Sequence, residues 1–458
     1  MLSIETLAGS FSGQLLRPHD EGFDEARVIW NGTVDAMPAL IARCGNTQDV
    51  VRAVEFAARQ DLKVSIRGGG HNVAGTALVD GGLVIDLSSM RDVHVDPDRR
   101  VARVQGGATL GDMDRKTFEQ GLMTPSGFVS ETGIGGLSLR GGLGHTMRRY
   151  GLTCDNLIGA ELVTSDGKVY RVTEDDEDIM WALRGGPLTL GVVTEFEFRL
   201  HPVHSEVRLI VSAYPAEKGK ELNRFMESLM DDAPRELGLV SFYTTLADSE
   251  DFPPSVRNRE VLLFFGMYTG EREDAAGVLA PLMEHDDLLA DLGGWMSYPA
   301  AQSVFDEEYP DQKRYYWKSL YLDELSDEVL DIFDSFGRDR PTPETTLDLW
   351  TMGGAVDDVP PEATAFRGRQ AKYMVAIEAN WTDPAEDERC IAWTRELFRR
   401  LEPHSRGDIY MNFPGSRREN EEAIARLEQS YLTRLRAVQS ACDPQGLFAP
   451  ATGDEGRH

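Results

Sequence analysis

Three consecutive glycines followed directly by a histidine, Gly68-Gly69-Gly70-His71, form the most chemically pointed segment of the sequence. Without side chains, the backbone amides of such a run can close on a phosphate, and the imidazole behind them is both a nucleophile and a proton carrier. A second glycine-dense stretch spans residues 127–144. Together the two segments point to a phosphate-bearing cofactor. A Rossmann site needs Gly-x-Gly-x-x-Gly between a strand and its helix, whereas here His-Asn follows the glycines and no amphipathic helix comes next. There is no Gly-x-x-x-x-Gly-Lys-Ser/Thr segment for a P-loop. Cys44, Cys154, Cys390 and Cys442 are scattered with no Cys-x-x-Cys pair, so neither a zinc site nor a disulfide framework is expected, and no other metal site is.

These loops must hang on regular elements. Val50, Val54 and Ala57 recur at helical spacing behind Asn46, and Val64 to Ile66 reads as a short buried strand that delivers the chain into the triple glycine. Leu83 to Leu87, Val101 to Val104, Ile158 to Thr164 and Gly191 to Phe198 read as further strands, ending at a break at His201-Pro202. Beyond it, Val240 to Thr245, Glu260 to Tyr268, Thr346 to Thr351 and Tyr373 to Trp381 predict an antiparallel sheet with helical, acidic segments between. Alternation in the last strand puts Tyr373, Val375, Ile377 and Trp381 on one face and Met374, Ala376, Glu378 and Asn380 on the other, so Glu378 is a candidate site carboxylate if that face meets the cofactor. Ile424, Leu427, Tyr431, Leu435, Val438 and Cys442 predict one long amphipathic helix stopped by Asp443-Pro444, and the acidic tail from Gly453 to His458 is expected to fray. A chain of 458 residues with 41% apolar composition implies more than one folded unit.

Net charge is −30, and only eight lysines contribute to the positive side. So many carboxylates repel phosphate backbones and anionic lipid, which makes nucleic acid and membranes poor partners. A halophilic-type surface tuned to high salt and a merely acidic protein both fit this charge. No secretory leader or long apolar run is evident, so a soluble, cytoplasmic protein is expected; the sequence carries no signal of oligomeric state.

Several motifs occur in order: Val64-Ser-Ile-Arg-Gly-Gly-Gly-His-Asn72, Gly81-Gly-Leu-Val-Ile-Asp-Leu87, Gly133-Ile-Gly-Gly136 with Gly141-Gly-Leu-Gly144, Tyr150-Gly-Leu152 with Asp155-Asn156, and Gly191-Val-Val-Thr194. With Tyr410-Met-Asn412 and Asp443-Pro444 near the end, the chain resembles the FAD-linked oxidases of the vanillyl-alcohol-oxidase type along nearly its whole length. Within them it is most similar to the berberine-bridge-enzyme branch that includes the 6-hydroxy-D-nicotine oxidase-like proteins. The resemblance implies an α+β fold: a PCMH-type FAD-binding domain over 1–203 (core about 34–203), an inserted substrate domain on an antiparallel sheet flanked by helices over 204–420, and a C-terminal helix and tail over 421–458 that return to the first domain.

It also implies FAD bonded covalently through His71, whose counterpart attacks the flavin 8α-methyl carbon. The cofactor would be held by Arg67, Gly68, Gly69, Gly70, Asn72, Gly75, Gly107, Gly127, Val129, Thr132, Gly133, Gly136, Gly142, Gly151, Asp155, Gly191, Val193, Tyr410 and Asn412. Val129 stands where doubly linked relatives carry a cysteine, so a single bond is expected. Thr189 and Leu190 replace the usual Asn-Phe before Gly191, which puts those contacts in doubt. The implied reaction is hydride transfer from a C–H beside O or N of a sugar, alcohol or amine to flavin N5, with O2 or another acceptor taking the electrons. Candidate bases are Tyr410, which resembles an active-site tyrosine of relatives or else packs on the flavin edge, Asp358, near the position of the berberine-bridge enzyme's glutamate but also readable as a solvated turn carboxylate beside Asp357 and before Pro360-Pro361, and Glu378, site-facing or a surface charge. Tyr315, Tyr316 and Trp317 are a candidate substrate wall or plain packing, and His145 is expected to hydrogen-bond near the loop. A flavin-binding protein without turnover and an NAD(P)H-dependent reductase on the same scaffold are the alternatives.

Overall fold

The computed structural model describes residues 4–250 and 252–448, so the C-terminal acidic tail lies outside the described residues. Asn46 caps the helix Thr47–Gln60 by accepting from the Asp49 amide, and Asp61 in the left-handed region ends it. That helix covers a four-stranded sheet in the order Gln14–Leu16, Leu40–Arg43, Leu83–Asp86, Val64–Arg67, whose last three strands run parallel. A second, five-stranded antiparallel sheet follows in the order Val93–Asp96, Val101–Gln105, Val192–Arg199, Leu157–Val163, Val169–Thr173. Parallel and antiparallel pairing are thus both present in this part of the chain.

The rest of the chain builds an eight-stranded antiparallel sheet. Its six long strands run in the order Val207–Pro215, Glu260–Tyr268, Leu237–Thr245, Thr346–Thr351, Tyr373–Trp381, Arg314–Leu322, the last at one edge. The sequence pattern marks four of these six; Val207–Pro215 and Arg314–Leu322 escape it. Alternation divides the sheet as physics requires. Leu239, Phe264, Leu349, Val375 and Ile377 bury against the helices Gly219–Asp231, Asp327–Arg338 and Asp387–Leu401, while Val240, Phe242, Phe265, Trp350, Met374 and Ala376 face the opposite side, toward the glycine loops.

The C-terminal region departs from one continuous helix. Arg417–Arg426 and Gln429–Cys442 are separate, because Leu427 and Glu428 take extended backbone. The break lets Asn420 and Ile424 face the central cavity while Tyr431, Leu432, Leu435 and Val438 pack with Trp181 and Leu183 beside the five-stranded sheet. Asp443 ends the second helix as expected, and its carboxylate accepts from the Leu447 and Phe448 amides.

No helix of the described residues is long and apolar enough to cross a membrane. All four cysteines are buried and unpaired.

Candidate functional site

The strand Val64–Arg67 ends at the triple glycine, which packs backbone to backbone against the second glycine loop. A Cβ on Gly69 would sit 2.4 Å from the Gly133 nitrogen, and one on Gly133 would sit 2.3 Å from the Gly69 nitrogen. Neither position admits a side chain, so the two loops define one joint. Above the joint lies a cavity of about 360 Å³ floored by the loops 68–72 and 127–136 and by 186–191, and roofed by the large sheet.

His71 is half-buried with its ring on the cavity. Its imidazole stacks on Trp30 at 4.8 Å and 16°, and Trp30 stacks in turn on Tyr315 at 3.7 Å. Nδ1 of His71 lies 3.5 Å from Thr132 Oγ1. Desolvation pushes the imidazole down to about 4, so it is neutral and nucleophilic at ordinary pH.

Of the residues expected to hold the cofactor, Gly68, Gly69, Gly70, His71, Asn72, Gly127, Val129, Thr132, Gly133, Gly136, Gly191, Val193, Tyr410 and Asn412 all line this one cavity. Thr189 and Leu190 line it too, and the Thr189 carbonyl accepts from Gln439.

Seven expectations fall elsewhere. Gly75, Gly107, Gly142 and Gly151 are outside the lining, and packing explains the missing side chain at each: against Val34, the Leu87 carbonyl, Thr153 and Asp155 respectively. Arg67 turns away and donates to the Ala26 carbonyl at 2.5 Å, tying the loop to the N-terminal segment. Asp155 accepts from the Leu152 amide and pairs with buried Arg369, so it clamps the glycine segment to the loop before Tyr373–Trp381. Asp358 lies on the surface, its carboxylate 2.5 Å from Arg235, with that ion pair more than half exposed on both sides. It is held by solvent and arginine and does not reach the cavity.

His145 also departs from expectation. Neither ring nitrogen has a partner; the ring is wedged against Phe128 at 4.0 Å and Phe265 at 5.0 Å, and burial pushes it down to about 3. Of the aromatic trio, Trp317 lines the cavity, whereas Tyr315 packs on Trp30 and Tyr316 donates to Glu419.

The Tyr410 hydroxyl oxygen accepts from the Leu143 amide at 3.2 Å and from Asn412 Nδ2 at 2.9 Å. Burial raises its pKa above the ordinary phenol value despite these donors. Its proton is therefore retained.

The roof sets Glu378, on the face expected of it, beside an acid the sequence leaves unmarked. Asp348 and Glu378 project from the adjacent strands Thr346–Thr351 and Tyr373–Trp381 onto the same face, Asp348 being paired with Ala376, two positions from Glu378. They are 7% and 3% exposed, and neither has an ion-pair partner among the described residues. Glu378 Oε2 accepts from Tyr309 at 3.0 Å, and Asp348 Oδ1 has no partner at all. Desolvation raises both, Asp348 to about 7 and Glu378 well above the carboxylate range, the latter further raised by the Asp348 charge. The available signal is an acid within Thr-Leu-Asp-Leu-Trp-Thr, where Leu347 and Leu349 take the core face and leave Asp348 with Trp350 on the other.

FAD fits these residues. A Cβ on cavity-lining Gly136 would meet nothing within 4 Å, which leaves open space beside the loop amides. Arg140 also lines the cavity, is lowered to about 10 by desolvation, and has no ion-pair partner among the described residues, the situation of a cation awaiting an anionic group. The loop amides and Arg140 would hold phosphates or the flavin's polar edge, and His71 would anchor the ring system.

Residues 38–173 match the family model described as an FAD binding domain. A FAD-linked oxidoreductase of Dictyostelium discoideum is 30% identical over 454 residues, covering 97% of this chain and 95% of that protein. Among solved structures, 6-hydroxy-D-nicotine oxidase from Arthrobacter nicotinovorans is 27% identical with a TM-score of 0.83, and 96% of each chain is covered. The fold is shared as well with the berberine-bridge-enzyme-like protein 1 of Physcomitrella patens, at a TM-score of 0.86 and 21% identity over the full length of both.

Proposed function

Since the chain belongs to the FAD-linked oxidoreductases and has the PCMH-type fold of the berberine-bridge-enzyme-like branch, we propose that it oxidises a small organic substrate between the glycine-loop floor and the sheet roof, with the carboxylates Asp348 and Glu378 as proton acceptor. The observation that carries this reading is two buried carboxyls with raised proton affinity in the same cavity as His71. Bound FAD supplies the hydride acceptor.

The protein's own part is positioning and proton handling. With Asp348 raised to about 7 and Glu378 held protonated more firmly still, Asp348 is the member of the pair that ionises above neutral pH and is left as a base. Tyr309, donating to Glu378, fixes that side chain's orientation. Tyr410, with its oxygen occupied by two N–H donors, presents its hydroxyl proton to the cavity and positions the substrate rather than serving as first base. A single covalent attachment through His71 is supported by the neutral, Trp30-stacked imidazole and by valine at 129, which has no nucleophile.

The test is anaerobic addition of amines, alcohols and sugars to purified protein. Bleaching of the visible flavin bands by at least one class is expected, with hydrogen peroxide formed on admitting air if O2 is the acceptor. A flavin that no substrate bleaches would overturn the enzymatic reading in favour of a binding protein, and bleaching by NAD(P)H alone would favour a reductase.

The four unpaired buried cysteines support a reducing, cytoplasmic setting. The net charge of −30 supports a surface that works at high salt. Tm is then expected to climb between dilute buffer and molar salt, by roughly 1 °C for each kcal/mol of repulsion screened in a chain of this length; an unchanged Tm would rule out salt adaptation.

A further inference from the structure

We infer that the substrate enters as an organic cation, a protonated secondary or tertiary amine, whose ammonium group sits against Asp348 and Glu378 inside an aromatic box. This rests on the flavoenzyme reading above and narrows it to one substrate class. The box consists of Phe242, Phe265, Phe305, Trp317 and Trp350, all lining the same cavity as the two carboxylates. Ring faces carry negative electrostatic potential and attract ammonium groups most strongly where water is excluded.

Around the acid pair itself the charge is unbalanced toward the negative. The cavity's lysine and arginine side chains are Arg140 and Arg417, and both are engaged away from the acid pair: Arg140 with the Met411 carbonyl and Asn420, Arg417 with the Gly75 and Leu78 carbonyls. The titratable group that faces the pair is the Tyr309 hydroxyl, a neutral donor. An apolar, desolvated site holding acids without a cation is costly in isolation and is relieved by a ligand that brings the charge.

The loop beside the cavity floor is of the same sign. Exposed Glu131, between the lining residues Val129 and Thr132, has its proton affinity raised by burial and by Asp311 and Asp306. Asp306 itself bridges the two cavity segments, accepting from the Ser130 amide and hydroxyl at 2.7 and 2.6 Å. Negative charge beside the cavity's segments favours cations over anions.

The chemistry balances with one proton and one hydride. The ammonium N–H proton passes to the ionised carboxylate, the freed nitrogen lone pair expels the adjacent hydrogen with its electron pair to oxidised FAD, and the resulting iminium ion, still a cation between the acids, is hydrolysed by water to a carbonyl compound and an amine.

Choline and 3,3-dimethylbutan-1-ol have the same shape and differ by the charge, so calorimetric titration of each into the yellow holoprotein isolates the claim. At pH 8 choline is expected to bind about tenfold or more tightly than its carbon isostere, a difference of ~1.4 kcal/mol. The preference should fall to within about twofold in the Asp348→Asn/Glu378→Gln protein and, without any substitution, on acidification of the wild type to pH 5. Equal binding of the two ligands by wild type, a preference untouched by both acid and substitution, or tighter binding of cellobiose than of choline would overturn the inference. The visible flavin spectrum of the same samples separates the two levels: a flavin-loaded protein indifferent to charge sinks the cation alone, whereas protein that holds no flavin sinks the underlying reading.

Discussion

Changing Asp348 to Asn and Glu378 to Gln in one chain is expected to slow flavin reduction by about 10²–10⁴-fold, the usual contribution of a positioned base, while the bound flavin spectrum is retained. Stopped-flow reduction with a substrate found by the bleaching panel measures it. The wild-type rate should rise with pH through about 7, where Asp348 loses its proton, and the double variant should lose that limb. A variant reduced at the wild-type rate would remove the pair from the mechanism. Stability should move the other way. Because the folded carboxyls hold protons more tightly than unfolded ones, the native state binds more protons between about pH 4 and 7, and its stability falls as pH rises through that window. The amide variants escape this loss, so above pH 7 they are expected to melt at higher temperature than wild type, a site strained for function and relaxed by its removal.

His71→Ala is expected to convert a flavin that survives acid precipitation with the protein into one that is released entirely into the supernatant. Mass spectrometry of the peptide around residue 71 should show the FAD adduct in wild type and not in the variant. A tethered ligand does not dissociate, so added FAD should leave the wild-type Tm unchanged. In the variant it should stabilise by ~2.7 kcal/mol when free FAD reaches about 100 times its dissociation constant. Complete release of the yellow colour from wild type would refute the covalent bond. With the imidazole held neutral down to about pH 4, attachment of FAD to apoprotein should proceed at a nearly constant rate from pH 5 to 8.

What the sequence discloses and what it hides follow the range of the interactions involved. The capped helix Thr47–Gln60, the strand Val64–Arg67 and the floor glycines are legible because spacing, caps and backbone freedom are local. Glu378 is legible because strand alternation is local too. Trp30 is not, since its stacking on His71 and Tyr315 joins three distant segments. Asp348 is hidden for the same reason: only the pairing of Thr346–Thr351 with Tyr373–Trp381 brings it beside Glu378. Asp358 is misplaced by motif position, because its carboxylate answers to Arg235 in a remote turn. The C-terminal apolar spacing runs unbroken across Leu427 and Glu428, so periodicity reports one helix where packing demands two directions.

The amide of Val64, first residue of the strand that delivers the His71 loop, donates to the Leu447 carbonyl at 3.2 Å, and Leu447 and Phe448 share the apolar cluster of that strand and its covering helix. The floor is thus closed by nearly the last described residues of the chain. During synthesis the N-terminal sheet must therefore wait, unsealed, until Leu447 and Phe448 have left the ribosome, long after its own strands have emerged.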